Sequence, residues 1–188
     1  LGKGVNMAIW FFQIHLNEVR VIDHLEGEHN DGIPQLVDVL RSKPYRYGND
    51  YVPHDAKVVE IGSGRSRLET LFGLKRNPKL VPDHNVMDGI NAARLTIPSC
   101  YFDREKCKDG LEALRQYKAD YDEKVKAFKN EPKHDWTSHS ADGFRYLAMT
   151  WRAIAKPKEP EPPEPMRGIG SITVDEFLKG VTPKRIRV

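Results

Sequence analysis

A proline-rich stretch limits which part of this chain can form a folded domain. Residues 156 to 165 read KPKEPEPPEP, in which half of the ten positions are proline and the others are Lys or Glu. Such a segment cannot bury apolar surface, so we expect an extended, semi-rigid spacer. The 188 residues therefore divide into a domain over 1–155, a linker over 156–168 and a C-terminal segment over 169–188.

The C-terminal segment has the pattern of one short helix. In SITVDEFLKG, Thr173 and Glu176 have the spacing of a capping box, and Gly180 supplies a stop signal. The final residues, TPKRIRV, are basic. A tethered short helix with a basic end is typical of a docking peptide, and a disordered terminus is the alternative interpretation.

Composition and the first residues exclude several classes of protein. The hydrophobic fraction of 39% and the charged fraction of 30% are typical of a soluble globular protein, and no apolar run is long enough to cross a membrane. The opening LGKGVNMAIWFF resembles neither a signal peptide nor a transit peptide. It looks like the interior of a domain, so we expect the chain to be a fragment of something longer. The net charge of +3 permits a local nucleic-acid-binding patch without requiring one.

Strand and helix patterns alternate over residues 1–155. Two segments rich in β-branched and aromatic residues, 7–16 and 18–26, predict an antiparallel hairpin. Short strands are then expected at 51–55, 78–83 and 100–103, with helices at 33–43, 66–74 and 86–97. The remaining expectations are a charged helix ending near 119, an edge strand at 123–128 and a closing helix over 139–155. This order predicts an α/β domain in which a mixed sheet is layered with helices.

The closing helix carries an acidic residue beside apolar ones. Its predicted core face comprises Phe144, Leu147, Ala148, Trp151 and Ile154. Arg145 and Arg152 share a narrow charged face. Asp142 lies with Tyr146 and Met149 on a third strip, which is too apolar to be ordinary solvated surface.

Two interpretations of Asp142 remain open at this point. An Asp in the first turn of a helix stabilises it through the helix dipole. Alternatively, Asp142 points at the sheet and shares a cation with a second acid, because a buried carboxylate is costly without a partner. The best partner is Asp55, at the end of the strand YVPHD, and the alternatives are Asp103 and Asp23.

Patterns for zinc are weak. The five-residue spacing of His134 and His139 does not place them on one helical face, and no zinc-protease motif occurs. The spacing of Cys100 and Cys107 fits no common zinc pattern, so both are predicted to be reduced thiols.

A glycine-containing loop, GSGRSR at 62–67, lacks the Lys-Ser/Thr ending of a nucleotide-binding loop. Its arginines, Arg65 and Arg67, are predicted to contact the phosphate backbone of DNA. A plain surface loop is the alternative.

Several segments form a pattern that recurs, in the same order, in one family. They are MAIWFFQ, VPHDAK followed by GSGRSRLETL, DGLEALRQY, and HDWTSHSADGFRYLAM at the start of the closing helix. In this the chain resembles the nuclease domain of tailed-bacteriophage terminase large subunits, over residues 1 to about 155. The resemblance implies an RNase H-like fold and a metal-dependent endonuclease. Such an enzyme cuts concatemeric double-stranded DNA when viral genome packaging starts and ends.

The resemblance also implies the site. The family holds divalent metals with three acids, of which the second corresponds to Asp55 and the third to Asp142. Two Mg²⁺ or Mn²⁺ ions about 4 Å apart would activate water and stabilise the leaving oxygen, and hard oxygen ligands suit these ions. The first acid would directly precede Leu1 and Gly2, so the first strand is expected to be truncated at its front. Cleavage is then expected to be weak if the chain is whole, and intact in a chain extended at its front.

The implied partners are double-stranded DNA, the portal protein and the small terminase subunit. A packaging ATPase domain would precede this segment in the same polypeptide. The expected location is the host-cell cytoplasm, with transient attachment to the procapsid portal. Two other hypotheses stay open. One is a catalytically silent DNA-gripping or portal-docking module of the same motor, and the other is a different RNase H-like nuclease such as a resolvase or transposase core.

Overall fold

The computed structural model describes residues 5–29, 32–60, 62–124 and 126–155, which belong to one compact unit, Leu1–Lys156. The predicted linker over 156–168 and the predicted docking helix and basic tail over 169–188 lie outside the described residues. So do the residues before Val5, at the front of the first strand, where a truncation was expected.

The strands and helices alternate much as the sequence predicts, so the α/β class is confirmed. The strands are β1 (Val5–His15), β2 (Glu18–His29), β3 (Asp50–Val52), β4 (Pro78–Leu80), β5 (Cys100–Phe102), β6 (Ala119–Asp122) and β7 (Ala127–Pro132). The helices are α1 (Gly32–Ser42), α2 (Arg67–Gly73), α3 (Val86–Thr96), α4 (Lys108–Gln116) and α5 (Ser138–Ala155). Short 3₁₀ turns cover His54–Lys57 and Ile97–Ser99.

The largest sheet is built on the predicted hairpin. β1 and β2 pair antiparallel around a tight turn in which Leu16 has a φ of 54°. β5 adds to β2 in parallel, which makes a mixed sheet of order β1-β2-β5. Within the described residues β3 and β4 form a separate parallel pair, so the strands do not join into the single mixed sheet that was expected.

The region after α4 differs from the expectation. The charged helix ends at Gln116 rather than near residue 119, and β6 and β7 form a hairpin where one edge strand was predicted at 123–128. Tyr121 and Phe128 pair across the two strands with their rings 5.2 Å apart. This ring contact stabilises the hairpin. Lys126, with a φ of 53°, lies in the turn between the two strands.

The core lies between the mixed sheet and α5. Phe144 and Trp151 of α5 pack against Trp10, Val19 and Val21 of the hairpin. The predicted core face is therefore confirmed, except at its last position, since Ile154 is 40% exposed. Core packing of α5 ends at Trp151, whose indole donates a hydrogen bond to Thr96 Oγ1 at 2.9 Å, and Ile154 lies beyond this contact.

α2 begins at a capping box. Ser66 Oγ accepts a hydrogen bond from the Glu69 amide at 3.1 Å, and Glu69 Oε2 accepts one from the Ser66 amide at 2.8 Å. The hydrogen bonds that the amide and the hydroxyl of Ser66 donate to the Glu69 carboxylate hold the pKa of Glu69 below its usual value. The capping box thus fixes the point at which the chain leaves the 62–67 loop.

We expect Ser66→Ala to lower the free energy of unfolding by about 1 kcal/mol, because the Glu69 amide in the first turn loses its hydrogen-bond acceptor, Ser66 Oγ. Urea denaturation followed by circular dichroism measures this change. Ser63→Ala, at an exposed position of the same loop, is the control and should change stability by less than about 0.5 kcal/mol. Equal effects of the two substitutions would contradict the capping role.

Candidate metal centre

Two carboxylates lie at one end of the parallel pair β3–β4. The register pairs Val52 with Leu80, and Asp55 and Asp83 each follow three residues later in the chain. Strand ends of a parallel pair meet at the same edge, so both acids lie there. His54, between the strand and Asp55, places Nδ1 3.4 Å from Asp83 Oδ1.

Helix α5 brings a third carboxylate to this edge. α5 packs against β3, and Asp142 and Tyr146 lie one turn apart on it. The pKa of Tyr146 is raised, mainly by burial and further by the negative charges of Asp142, Asp55 and Asp83, while Arg145 opposes the shift. All three carboxylates therefore lie close enough to this phenol for their charges to act on it. The structure thus brings the two predicted acids, Asp55 and Asp142, into one neighbourhood.

Asp142 does not cap α5. The helix begins at Ser138 and its first turn holds no acidic residue, so Asp142 falls in the second turn, where the dipole acts less. Asp135 serves the N-terminus instead, since its Oδ1 accepts hydrogen bonds from the amide of Thr137 at 3.0 Å and from its hydroxyl at 2.6 Å. These bonds lower the pKa of Asp135. The interpretation of Asp142 as a first-turn residue is therefore wrong.

Arg145 is buried, although the helical wheel placed it on a charged, solvated face. It is only 9% exposed, and its Nη2 donates to Asp142 Oδ1 at 2.5 Å while Nη1 donates to the carbonyl of Val86 at 3.3 Å. Its Nε is buried and has no hydrogen-bond partner among the described residues. The wheel failed here because α3 covers this side of α5.

Gly89 allows α3 to approach so closely. A Cβ at this position would lie 3.2 Å from Cδ of Arg145 and 2.9 Å from Nε2 of His84. The His84 ring in turn packs edge-on against Tyr146, with centroids 5.3 Å apart. α3 therefore forms the wall behind the Asp142–Arg145 pair.

Asp55 is more open than Asp142. Its side chain is 50% exposed, and Nη2 of Arg67 lies 3.7 Å away. Arg67 also places Nε 3.4 Å from Glu60 Oε1, so its guanidinium lies between the carboxylates of Asp55 and Glu60. Arg67 belongs to the loop that is predicted to contact DNA. Arg65, from the same loop, is exposed.

The two alternative acids have other roles. Asp23 is 6% exposed and accepts hydrogen bonds from Lys43 Nζ at 2.5 Å and from the Tyr45 hydroxyl at 3.1 Å. Asp23 is buried because α1 and the segment after it cover that face of the hairpin. Asp103 Oδ1 caps the turn before α4 by accepting from the amides of Glu105 and Lys106.

A buried polar network holds the start of α5 against the hairpin. Ser140 Oγ donates to Glu26 Oε2 at 2.7 Å, so Nε2 of His24, 3.0 Å from the same oxygen, must be the donor in that contact. Burial lowers the pKa of His24. Trp10 Nε1 donates to the carbonyl of Ser140 at 2.8 Å. His24 donates a hydrogen bond to Ser140 Oγ and so does not act as a base towards this hydroxyl. Ser140 is therefore an anchor and not an activated nucleophile.

The donor chemistry of the edge suits a hard divalent cation. Over 5–29, 32–60, 62–124 and 126–155, no group of three or more His, Cys, Asp or Glu side chains is arranged to enclose a metal ion. The pair Asp55 and Asp142, with side chains 50% and 41% exposed, offers carboxylate oxygens that face solvent. Mg²⁺ favours such open sites, because it keeps several waters and takes one or two carboxylates plus phosphate oxygens.

The sequence interpretation missed Asp83 and the role of Arg145. A signal for Asp83 was present, since VPHD after β3 and VPDH after β4 are near copies at the ends of two neighbouring strands. For Arg145 we find no comparable sequence signal, because its burial depends on Gly89 of another helix.

Comparison of the chain with protein-family models, with curated proteins and with solved structures gives no match. In the part of the chain that the structure describes, no helix is both long and apolar enough to cross a membrane.

Proposed function

We propose that residues 1–155 are an RNase H-like, metal-dependent DNA endonuclease domain of a tailed-phage terminase large subunit. Its role would be to cut concatemeric double-stranded DNA when packaging starts and ends. The observation that carries this proposal is the packing of α5, which holds Asp142, against β3, which directly precedes Asp55. The two acids come from distant segments of the chain, each of which resembles the same family. Both lie at one strand edge and are partly open to solvent.

The chemistry follows from this donor set. Divalent cations bound there would activate water for attack on a phosphodiester and stabilise the leaving oxygen. Asp55 and Asp142 would be the protein ligands, with Asp83 as a further oxygen donor at the same edge. The Tyr146 hydroxyl is protonated near neutral pH, as in tyrosines generally, so it could donate a hydrogen bond to a phosphate oxygen.

The loop at 62–67 lies beside this edge through the Arg67–Asp55 contact. Exposed arginines next to a cleavage site favour binding of the DNA backbone, which sets position rather than sequence preference. Arg65 and Arg67 are therefore the proposed backbone contacts. The portal protein, the small terminase subunit and an ATPase domain of the same polypeptide are the proposed partners.

The direct test is incubation of the protein with supercoiled plasmid in Mn²⁺, in Mg²⁺ and in EDTA. We expect nicked and linear products with metal and none with EDTA. A polypeptide extended before Leu1 is assayed in parallel, because the resemblance implies a further acid there. Retarded plasmid without cleavage by either polypeptide would favour the DNA-gripping module, and neither binding nor cleavage would contradict both proposals.

A further inference from the structure

The two side chains of the Asp142–Arg145 pair differ in their exposure to solvent. The guanidinium side chain is 11% exposed and the carboxylate side chain is 41% exposed. One oxygen of Asp142, Oδ1, accepts the hydrogen bond from Arg145. The solvent-facing side of the carboxylate is therefore left for another cation, while the buried side carries a fixed positive charge.

Arg145 is held in place by its surroundings. Its aliphatic stem fills the space above Gly89, and its Nη1 is tied to the Val86 carbonyl. A charge held this close to Asp142, and shielded from water on most sides, repels any divalent ion that approaches the same carboxylate. At an effective dielectric constant of about 20, unit charges roughly 5 Å apart interact strongly enough to change an affinity by well over tenfold before relaxation.

We propose that Arg145 is a positioning residue that fixes the Asp142 carboxylate through Oδ1 and lowers the affinity of the centre for divalent cations. The inference rests on the proposed metal centre and goes beyond it, because it assigns the control of metal affinity to a residue that would not touch the metal. A weakly bound ion exchanges readily, and the centre then gains full metal occupancy when DNA phosphate oxygens supply the missing ligands.

Arg67 offers an internal comparison. It lies 3.7 Å from Asp55, with side chains 44% and 50% exposed. Water screens an exposed pair of this kind, so its influence on metal binding should be small. The two arginines thus differ in burial, and burial decides which of them matters.

The experiment measures Mn²⁺ binding to the full chain by electron paramagnetic resonance, without DNA. Arg145→Met and Arg145→Gln remove the charge, the first keeping the apolar stem and the second keeping a hydrogen-bond donor. We expect each to lower the Mn²⁺ dissociation constant by about tenfold, and Arg145→Lys to stay within about threefold of the unmodified protein. Arg67→Met, the exposed control, should also stay within about threefold.

Circular dichroism establishes which variants are folded. If every folded neutral variant binds Mn²⁺ no more tightly than the unmodified protein, or if both neutral variants fail to fold, the proposal is overturned. The double variant Asp55→Asn/Asp142→Asn separates this failure from that of the proposed function. If Mn²⁺ binding is lost in the double variant but unchanged in the Arg145 variants, only the inference is rejected. If Mn²⁺ binding is absent from the unmodified protein, or is unchanged in the double variant, the metal centre is rejected as well.

Discussion

Asp55→Asn is expected to reduce metal-dependent cleavage of plasmid DNA by at least about a hundredfold. The amide keeps the shape of the side chain but loses the charge that attracts a divalent ion. Since the side chain is 50% exposed and its contact with Arg67 spans 3.7 Å, folding should be unaffected. The initial rate of plasmid nicking at a fixed Mn²⁺ concentration measures the loss.

Three further substitutions make this result specific. Asp142→Asn should reduce the cleavage rate by the same factor. Asp83→Asn should reduce it by no more than about tenfold, because Asp83 is proposed only as an additional oxygen donor. Asp38→Asn removes a surface acid of α1, whose side chain is 72% exposed and pairs with Arg41, and should leave the rate unchanged. Full activity in the Asp55→Asn protein would reject the assignment of this edge as the active site.

The sequence was sufficient for features that depend on local pattern. The hairpin follows from its β-branched and aromatic residues, and α2 lies within the helix predicted at 66–74. Asp55 and Asp142 are proposed as ligands because each belongs to a segment that resembles one family in a recognisable order. None of these required knowledge of which elements pack together.

Features that depend on packing between distant elements were missed. Arg145 looks like a surface residue on the wheel of α5 alone, and only the close approach of α3 at Gly89 buries it. Asp23 looks solvated within its strand, but Lys43 and Tyr45 cover it from a later segment. The β6–β7 hairpin pairs Tyr121 with Phe128, and the single edge strand predicted at 123–128 does not include the first of these residues.

The run HSADGFRY gains a physical explanation position by position. Ser140 anchors the helix start to the hairpin, Phe144 fills the core, and Tyr146 faces the acidic edge. Asp142 and Arg145, three residues apart, form the pair that points from the core towards that edge. About two turns of helix therefore join structural anchoring to the proposed chemistry, which is why substitutions in them need a stability control.

Removal of the Asp142 carboxylate illustrates that need. Asp142→Ala is expected to lower the free energy of unfolding by about 2 kcal/mol, because it leaves the buried Arg145 charge without its partner. The loss is smaller than for a fully enclosed pair, since the Asp142 side chain is 41% exposed and water screens the interaction. Urea denaturation followed by the fluorescence of the buried Trp10 and Trp151 measures the change.

The double variant Asp142→Ala/Arg145→Met tests the cause. If the uncompensated charge is responsible, removing it should restore about 1 kcal/mol or more relative to Asp142→Ala. Asp38 and Arg41 form the matched control, a pair with the same spacing along a helix but side chains 72% and 53% exposed. Asp38→Ala should cost less than about 0.5 kcal/mol. Equal losses at the two pairs would show that Arg145 is solvated, and the same result would remove the basis for its proposed effect on metal affinity.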